Sequence, residues 1–327
     1  MKLIVTVDTE EEFRWSEKFD RNNTATKNIK KLQLIDEIFS RYRVRPTYLI
    51  DYPVACDKDS VKILRDYYEN GKCEIGAHLH TWVTPPFEED VNNKNSYANN
   101  LPYELVRKKI VCLHEAILQA FGVEPVSFKS GRYGFDTKVA RAMHSLDYKV
   151  DTSITPFISH ETGGGPDFRG AGNKAYFFSH ENILKEDKNG NILEVPMSVG
   201  FTRADMEFWR RIFNLLEALL LRNIPVKGIL SKLGIVEKVN ISPEGEKIDS
   251  IIKMLKIFIK SDHEFINLNF HSSSLLEGYT PYVQNREDLR KFLETIETTL
   301  KYLVEQAGAE PLTLSEFYHC KVKEKVN

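Results

Sequence analysis

Thr6-Val7-Asp8-Thr9-Glu10 places two carboxylates two residues apart at the end of an apolar run. Alternation along an extended chain puts Asp8 and Glu10 on one side if the strand continues through them. Two acids at the carboxyl end of a strand suit a metal ligand beside a general base. A solvated acidic loop running on through Glu11 and Glu12 accounts for the same residues. Glu74-Ile75-Gly76-Ala77-His78-Leu79-His80-Thr81-Trp82 repeats the spacing with His78 and His80. On one face of a strand their Cα atoms stand about 6.6 Å apart, so both imidazoles can reach one ion at about 2.0–2.1 Å per Zn–N bond. In Phe128-Lys129-Ser130-Gly131-Arg132-Tyr133-Gly134-Phe135-Asp136 a strand leaves into a glycine-bearing turn. The glycines allow close approach of a substrate, and Arg132 can orient or neutralise a carboxylate. In Asn269-Phe270-His271-Ser272-Ser273-Ser274 a histidine follows an apolar strand, where a barrel enzyme places catalytic groups. Its ordinary pKa lets it protonate a leaving amine. Singly, each segment also reads as an ordinary loop or a structural histidine. Their shared placement at strand ends makes the joint case.

The elements that must carry these residues alternate. Strands are expected at Lys2–Val7, Pro46–Ile50, Glu74–His80, Val126–Lys129, Tyr148–Thr152, Ile192–Pro196, Phe265–Phe270 and Pro311–Leu314. Helical spacing falls at Thr24–Arg43, Ser60–Asn70, Leu101–Phe121, Asp136–Leu146, Gly245–Lys260 and Arg286–Gln306. Gly71 and Gly122 follow two of these helices as C-terminal glycines. Such alternation predicts an α/β fold with a parallel sheet and helices outside it, as a β/α barrel or an open doubly wound sheet. Pro156–Asn191 holds Gly163, Gly164, Gly165, Gly170 and Gly172 and reads as a long loop, and long loops in compact domains are often functional. Arg203–Leu233 reads as a helical insertion. The whole is expected to be one domain, 1–327, interrupted by the loop and insertion at about 156–240.

The 327 residues are 42 % hydrophobic, enough for a sizeable core. The 45 basic and 47 acidic residues leave a net charge of −2, which argues against a protein built to coat nucleic acid. Cys56, Cys73, Cys112 and Cys320 form no CxxC pair, so neither a thiolate zinc site nor a disulfide framework is expected. The first apolar run ends at once in acids, unlike a signal peptide, and the chain is expected to be cytoplasmic. No segment reaches the roughly 20 apolar residues of a membrane span; the nearest, Leu215–Leu221, is interrupted by Glu217.

Taken together, the segments resemble the polysaccharide deacetylase family, in a branch with a Thr-Val-Asp-x-Glu opening and a His-x-His-x-Trp second motif. The resemblance runs through Thr6–Glu10, Pro46–Val54, Glu74–Pro86, Phe128–Gly134, Asp151–Pro156 and His271–Tyr282. It implies a distorted (β/α) barrel with a helical insertion. It implies hydrolysis of an N-acyl group, acetyl foremost, from a sugar or polysaccharide precursor such as those of surface polysaccharide synthesis. It implies a divalent metal, zinc foremost, held by Glu10, His78 and His80, with Asp8 as base and His271 as general acid. The family's second histidine stands four residues after the first, where this chain has Trp82, so His80 replaces it. The family's third motif opens with an arginine that orients the base; here Lys129 stands in that place, and Arg132 is expected to take the role. The Tyr133 backbone N–H is the expected oxyanion donor.

Three rivals remain at this level. The same machinery could cleave a non-sugar amide. The Trp82 and Lys129 departures would also suit a sugar- or partner-binding scaffold without activity. Arg203–Leu233, with Trp209, Arg210, Arg211 and Phe213, could contact a membrane surface or a second subunit of a homo-oligomer, although a packed lid helix is the preferred reading.

Overall fold

In a computed structural model, residues 1–219 and 236–326 are described. Nine strands form one sheet in the order β10-β1-β2-β3-β4-β5-β7-β6, with β11 beside the start of β1. Their ranges are β1 Lys2–Thr9, β2 Thr47–Ile50, β3 Glu74–Leu79, β4 Ser127–Ser130, β5 Val150–Asp151, β6 Tyr176–Phe178, β7 Ile192–Glu194, β10 Phe265–His271 and β11 Glu310–Leu312. All pairs are parallel except β6 with β7. A separate antiparallel pair joins β8 (Val199–Phe201) to β9 (Lys238–Asn240). The sheet is strongly curled, and the expected distorted barrel is the architecture observed.

The period-two pattern of β1 explains how the barrel is filled. Leu3, Val5 and Val7 pack outward among the helices, with Ile35, Phe39, Tyr48 and Ile75 in the same cluster. Ile4 turns inward onto Leu49, Val150, Leu193 and Phe265. Higher on the same inner face the residues become polar. Thr6 Oγ1 donates to Asn267 Oδ1 at 3.0 Å, Asn267 Nδ2 donates to Thr152 Oγ1 at 3.0 Å, and Thr152 Oγ1 donates to the Val195 carbonyl at 2.7 Å. This chain crosses the interior between β1, β10 and β5. The gap between β7 and β10 is bridged by residues outside the sheet. Asn267 N–H donates to Ser198 Oγ and Asn269 N–H to the Ile241 carbonyl.

Helices Gln33–Arg41, Lys58–Glu69, Tyr103–Phe121, Thr137–His144, Ile248–Lys260, Arg286–Lys301 and Leu314–Val326 lie along the chain between and after the strands. Asp57, Asp136 and Asn285 cap three of them through backbone N–H groups of the first turn. Gly122 closes Tyr103–Phe121 at φ 70°, a left-handed angle that a side chain disfavours. The expected helix at 24–43 begins later, as a 3-10 turn Lys27–Leu32 that becomes α-helical at Gln33. The expected long loop at 156–191 contains β6. The helix Leu314–Val326 was not anticipated, because its apolar residues cluster in the first turns and lysines fill the rest. Of the expected insertion, Met206–Leu219 is a helix, and residues 220–233 lie outside the described ones. Among the described residues, no helix is long and apolar enough to cross a membrane.

On the outer side of β5 and β7 sits a buried acid pair, Asp151 and Glu194, in register across the two strands. Asp151 accepts from Ser153 N–H and Oγ, and Glu194 accepts from Ile154 N–H. Burial pushes Asp151 up to about 6 and Glu194 well above its usual range.

Candidate metal centre and catalytic cleft

β1, β3, β4 and β10 bring the singled-out residues to one end of the barrel. Parallel register places Asp8 opposite His271 and His78 opposite Lys129. Residues paired this way face the same side. Glu10, His78 and His80 are fully buried, and their ligating atoms lie within 4.8 Å of one another.

The hydrogen bonds around the two imidazoles decide their tautomers. His78 Nδ1 lies 3.2 Å from the Lys129 carbonyl, which can only accept. His80 Nδ1 lies 2.7 Å from Glu11 Oε2. Both rings therefore carry hydrogen on Nδ1 and present the Nε2 lone pair inward. Those two atoms face one oxygen, Glu10 Oε2, at 3.7 and 3.5 Å. The other oxygen of Glu10 is taken by Ser273 Oγ at 2.9 Å. Two atoms bound tetrahedrally at about 2.0–2.1 Å from one ion stand about 3.3–3.4 Å apart. Both nitrogen-to-oxygen distances thus suit a shared divalent cation with little adjustment. Burial lowers the pKa of both imidazoles, which keeps the lone pairs available. Gly131 is required by this packing: a Cβ there would lie 2.4 Å from the His80 ring.

Glu11 belongs to the site, not to a solvated loop. Its carboxyl takes His80 Nδ1 on one oxygen and Trp82 Nε1 on the other, the latter at 2.8 Å. Its backbone N–H donates to Asp51 Oδ2 at 2.7 Å. Trp82, whose place the family gives to a ligand, here holds the carboxyl that holds His80. Glu11, Asp51 and His80 also converge within 4.8 Å, but donors already fill this second cluster. Burial first, then the neighbouring acids, pushes Glu11 to about 8 and Asp51 well above the carboxylate range. Raised in this way, the two carboxyls hold a proton between them at neutral pH, which leaves Glu11 Oε2 to accept from His80 Nδ1 and offers little to a cation.

Asp8 is bonded through both oxygens to the Lys129 ammonium, at 2.9 and 2.6 Å. Burial alone would raise its pKa; Lys129, His78 and His271 outweigh that and hold it at about 2. Lys129 is thus the partner of Asp8, and the expected partnership of Arg132 with Asp8 is corrected. Arg132 and Tyr133 both take left-handed backbone angles, φ 55° and 61°. Their turn sets the guanidinium 4.0 Å from the Tyr97 ring centre and 4.9 Å from that of Phe19. There it donates to Asn93 Oδ1 and Ser96 Oγ.

His271 Nε2 lies 3.4 Å from Asp8 Oδ2, and its Nδ1 lies 2.8 Å from Glu244 Oε2. Burial would lower its pKa, but Glu244, Glu10 and Asp8 raise it to about 9. Its Nε2 therefore carries a proton at neutral pH. Glu244 was missed from sequence because it lies in an irregular stretch with no motif. Ser274 Oγ anchors Glu244 and Ser272 Oγ accepts from Glu10 N–H at 3.1 Å. The three consecutive serines thus fix both carboxylates.

A cavity of about 340 Å³ opens over this cluster. Asp8, Glu10, His78, His80, Lys129 and His271 line its floor, and aromatic residues form much of its wall.

The curled parallel barrel with a polar cluster at its carboxyl end has the architecture of polysaccharide deacetylase-like structures. A glycoside hydrolase/deacetylase by name from Parabacteroides distasonis superposes with a TM-score of 0.63 at 14 % identity, over 98 % of this chain and 71 % of that one. A polysaccharide deacetylase by name from Mycobacterium smegmatis matches at 0.47 and 13 % identity, over 96 % and 93 % of the two chains. No family model and no curated protein matches the chain.

Proposed function

We propose that the protein is a metal-dependent hydrolase that removes an N-acyl group, acetyl foremost, from an amino sugar. The observation that carries this reading is the pair of imidazoles, each with Nδ1 tied back and Nε2 aimed at the same Glu10 oxygen. A divalent cation held by Glu10, His78 and His80 would supply Lewis acidity toward an acyl carbonyl and water. Zinc suits the two-nitrogen, one-oxygen donor set.

The chain's own residues divide the proton work. Asp8 accepts the proton of the attacking water. A carboxylate held at about 2 keeps that proton only briefly. His271 sits 3.4 Å away, charged and backed by Glu244, and gives a proton to the departing nitrogen. The Tyr133 backbone N–H is the proposed donor to the oxyanion. Lys129 and Trp82, the departures that would suit an inactive scaffold, each hold a residue of this machinery: Asp8 and Glu11. That favours an enzyme over a scaffold.

The test is elemental analysis together with acetate release. Purified wild type should carry one divalent ion per chain and release acetate from at least one N-acetyl amino sugar, free or nucleotide-linked. His78→Ala should lose both properties. Equal metal content in the two proteins would sink the assignment, and bound metal without turnover across the panel would favour the scaffold.

A further inference from the structure

Residues 10–26 contain no helix or strand, yet they are tied down on both sides of the cleft. At their base, Glu12 N–H donates to the Ala25 carbonyl at 2.7 Å and Glu12 Oε1 accepts from Asn28 N–H at 2.6 Å. On one side Trp15 N–H donates to the Tyr279 carbonyl, and the indole lies edge-on to His271 and Tyr282, ring centres 4.8 and 5.6 Å away. On the other side Phe19 packs against Trp82 at 4.6 Å and under the Arg132 guanidinium. Arg21 continues outward to the Glu89 carbonyl. The segment is a strap from the loop after β10 to the loops after β3 and β4. Phe13, Trp15 and Phe19 are its contribution to the cavity wall.

Inside, three polar atoms are buried without a partner among the described residues: Trp15 Nε1, Asn240 Oδ1 and Asn269 Nδ2. All three belong to residues lining the cavity, and Asn269 is only 2 % exposed. Asn269 precedes His271 by two on β10, so it shares the inner face with the acid. Buried polar atoms are nearly always paired; these three have no accessible surface of their own, and a turn of the side chain presents each to a polar ligand in the cavity that its residue borders. Aromatic faces with a few convergent amide and N–H groups suit a sugar ring, apolar on its faces and hydroxylated at its edge. The cavity, at about 340 Å³, is at the small end for a ligand site.

We infer that the strap and the Trp15–Asn240–Asn269 set form a subsite for one N-acyl amino-sugar residue, free or at a chain end, and bar the interior of a polymer. The inference rests on the deacetylase reading and narrows its substrate class. Trp15, Asn240 and Asn269 determine specificity by bonding ring hydroxyls, and Arg132, stacked between Phe19 and Tyr97, is part of the wall.

The test uses the full chain loaded with zinc. The probes are free N-acetylglucosamine, N-acetylgalactosamine and N-acetylmannosamine, and the β-1,4-linked N-acetylglucosamine hexamer. Binding is measured by calorimetry and acetate release by mass spectrometry. A single sugar should bind, and the hexamer should lose acetate from a terminal residue or not at all. Asn269→Ala should weaken the preferred sugar about tenfold, as for one lost hydrogen bond, with the larger part of the loss in KM. Phe19→Ala should open the wall and let interior residues of the hexamer react. Wild type acting on interior residues as readily as on the single sugar would overturn the inference, as would failure of all three sugars to bind. Binding of a single sugar without acetate release would uphold the subsite and overturn the deacetylase reading instead.

Discussion

His80 and His271 face the same cavity, and each sets Nδ1 against a buried carboxyl group: Glu11 at 2.7 Å for the first and Glu244 at 2.8 Å for the second. The local bonding is nearly the same, but the charge is opposite. Burial wins at His80, which stays neutral; at His271 the attraction of Glu244, Glu10 and Asp8 overcomes burial and holds the ring charged up to about pH 9. The difference lies behind the carboxyl groups. Glu11 is backed by Asp51, and that buried pair holds a proton between its two carboxyls, so it accepts from His80 with less charge than Glu244 offers His271, and burial prevails. A carboxyl partner therefore fixes a histidine's tautomer; the unprotonated charge around the ring decides whether it is cationic. One histidine can then hold an ion while the other delivers a proton.

The largest contrast is between the alanine variants. His80→Ala should abolish both ion binding and turnover. His271→Ala should keep the ion and lose ~10²–10⁴-fold in kcat, the range of general-acid catalysis. Metal analysis beside single-turnover rates separates the two, and loss of metal in His271→Ala would break the division of labour. Next come the carboxyl partners. Glu244→Gln removes the strongest of the charges that raise the His271 pKa. The protonated form is the active one, so the alkaline limb of kcat/KM should move from about pH 9 toward neutrality. Glu11→Gln should leave that limb in place and weaken the ion by about 10–100-fold, as for other outer partners of ligating histidines. An unchanged limb in Glu244→Gln would remove Glu244 from the proton work. A smaller effect is expected of Trp82→Phe, which keeps the packing but takes one donor from Glu11. Competitive chelator titration should show weaker ion binding than wild type but tighter than Glu11→Gln.

The smallest effect concerns the buried acid pair of β5 and β7. Asp151 is raised from 3.8 to about 6, so the folded state holds its proton more tightly than the unfolded one. The stability this contributes is complete below about pH 4 and lost as pH rises through 6. Asp151→Asn should flatten that part of the stability-against-pH curve relative to wild type. Thermal melts between pH 4 and 7 that run parallel for the two proteins would show that the pair does not share its proton in this way.

Much of this arrangement could be read from the residues. The i, i+2 spacing of His78 and His80 on a buried strand, and the strand-end position of His271, follow from period two alone. Alternating apolar runs and helical spacing predicted a parallel α/β fold but left a barrel and an open doubly wound sheet both standing; the resemblance implied the barrel. Lys129 carries a signal of its own: it occupies an inward position of a short buried strand, where a lysine is costly unless a carboxylate meets it. Arg132 stands closer to the glycine-bearing turn, but two consecutive left-handed residues aim it at the cleft wall and away from Asp8. Glu11 differs from Glu12 in no way that composition reveals; only the bend after Thr9 separates the one that bonds His80 and Trp82 from its neighbour. Glu244 depends on the short β8–β9 pair and the turn after it, elements too brief to leave a periodic trace.

The pairing of β1 with β10 joins residues at opposite ends of the chain, Asp8 with His271. A ribosome therefore delivers the site in two instalments. All three ion ligands have been made by residue 80, but the proton donor and Ser273, which grips Glu10, come nearly two hundred residues later. Until β10 emerges, β1 keeps one bare edge, open to pairing with any other extended chain. The nascent protein thus passes through a long interval in which the three ligands are made but the barrel is unfinished, and β10 on docking both seals that edge and brings in the acid.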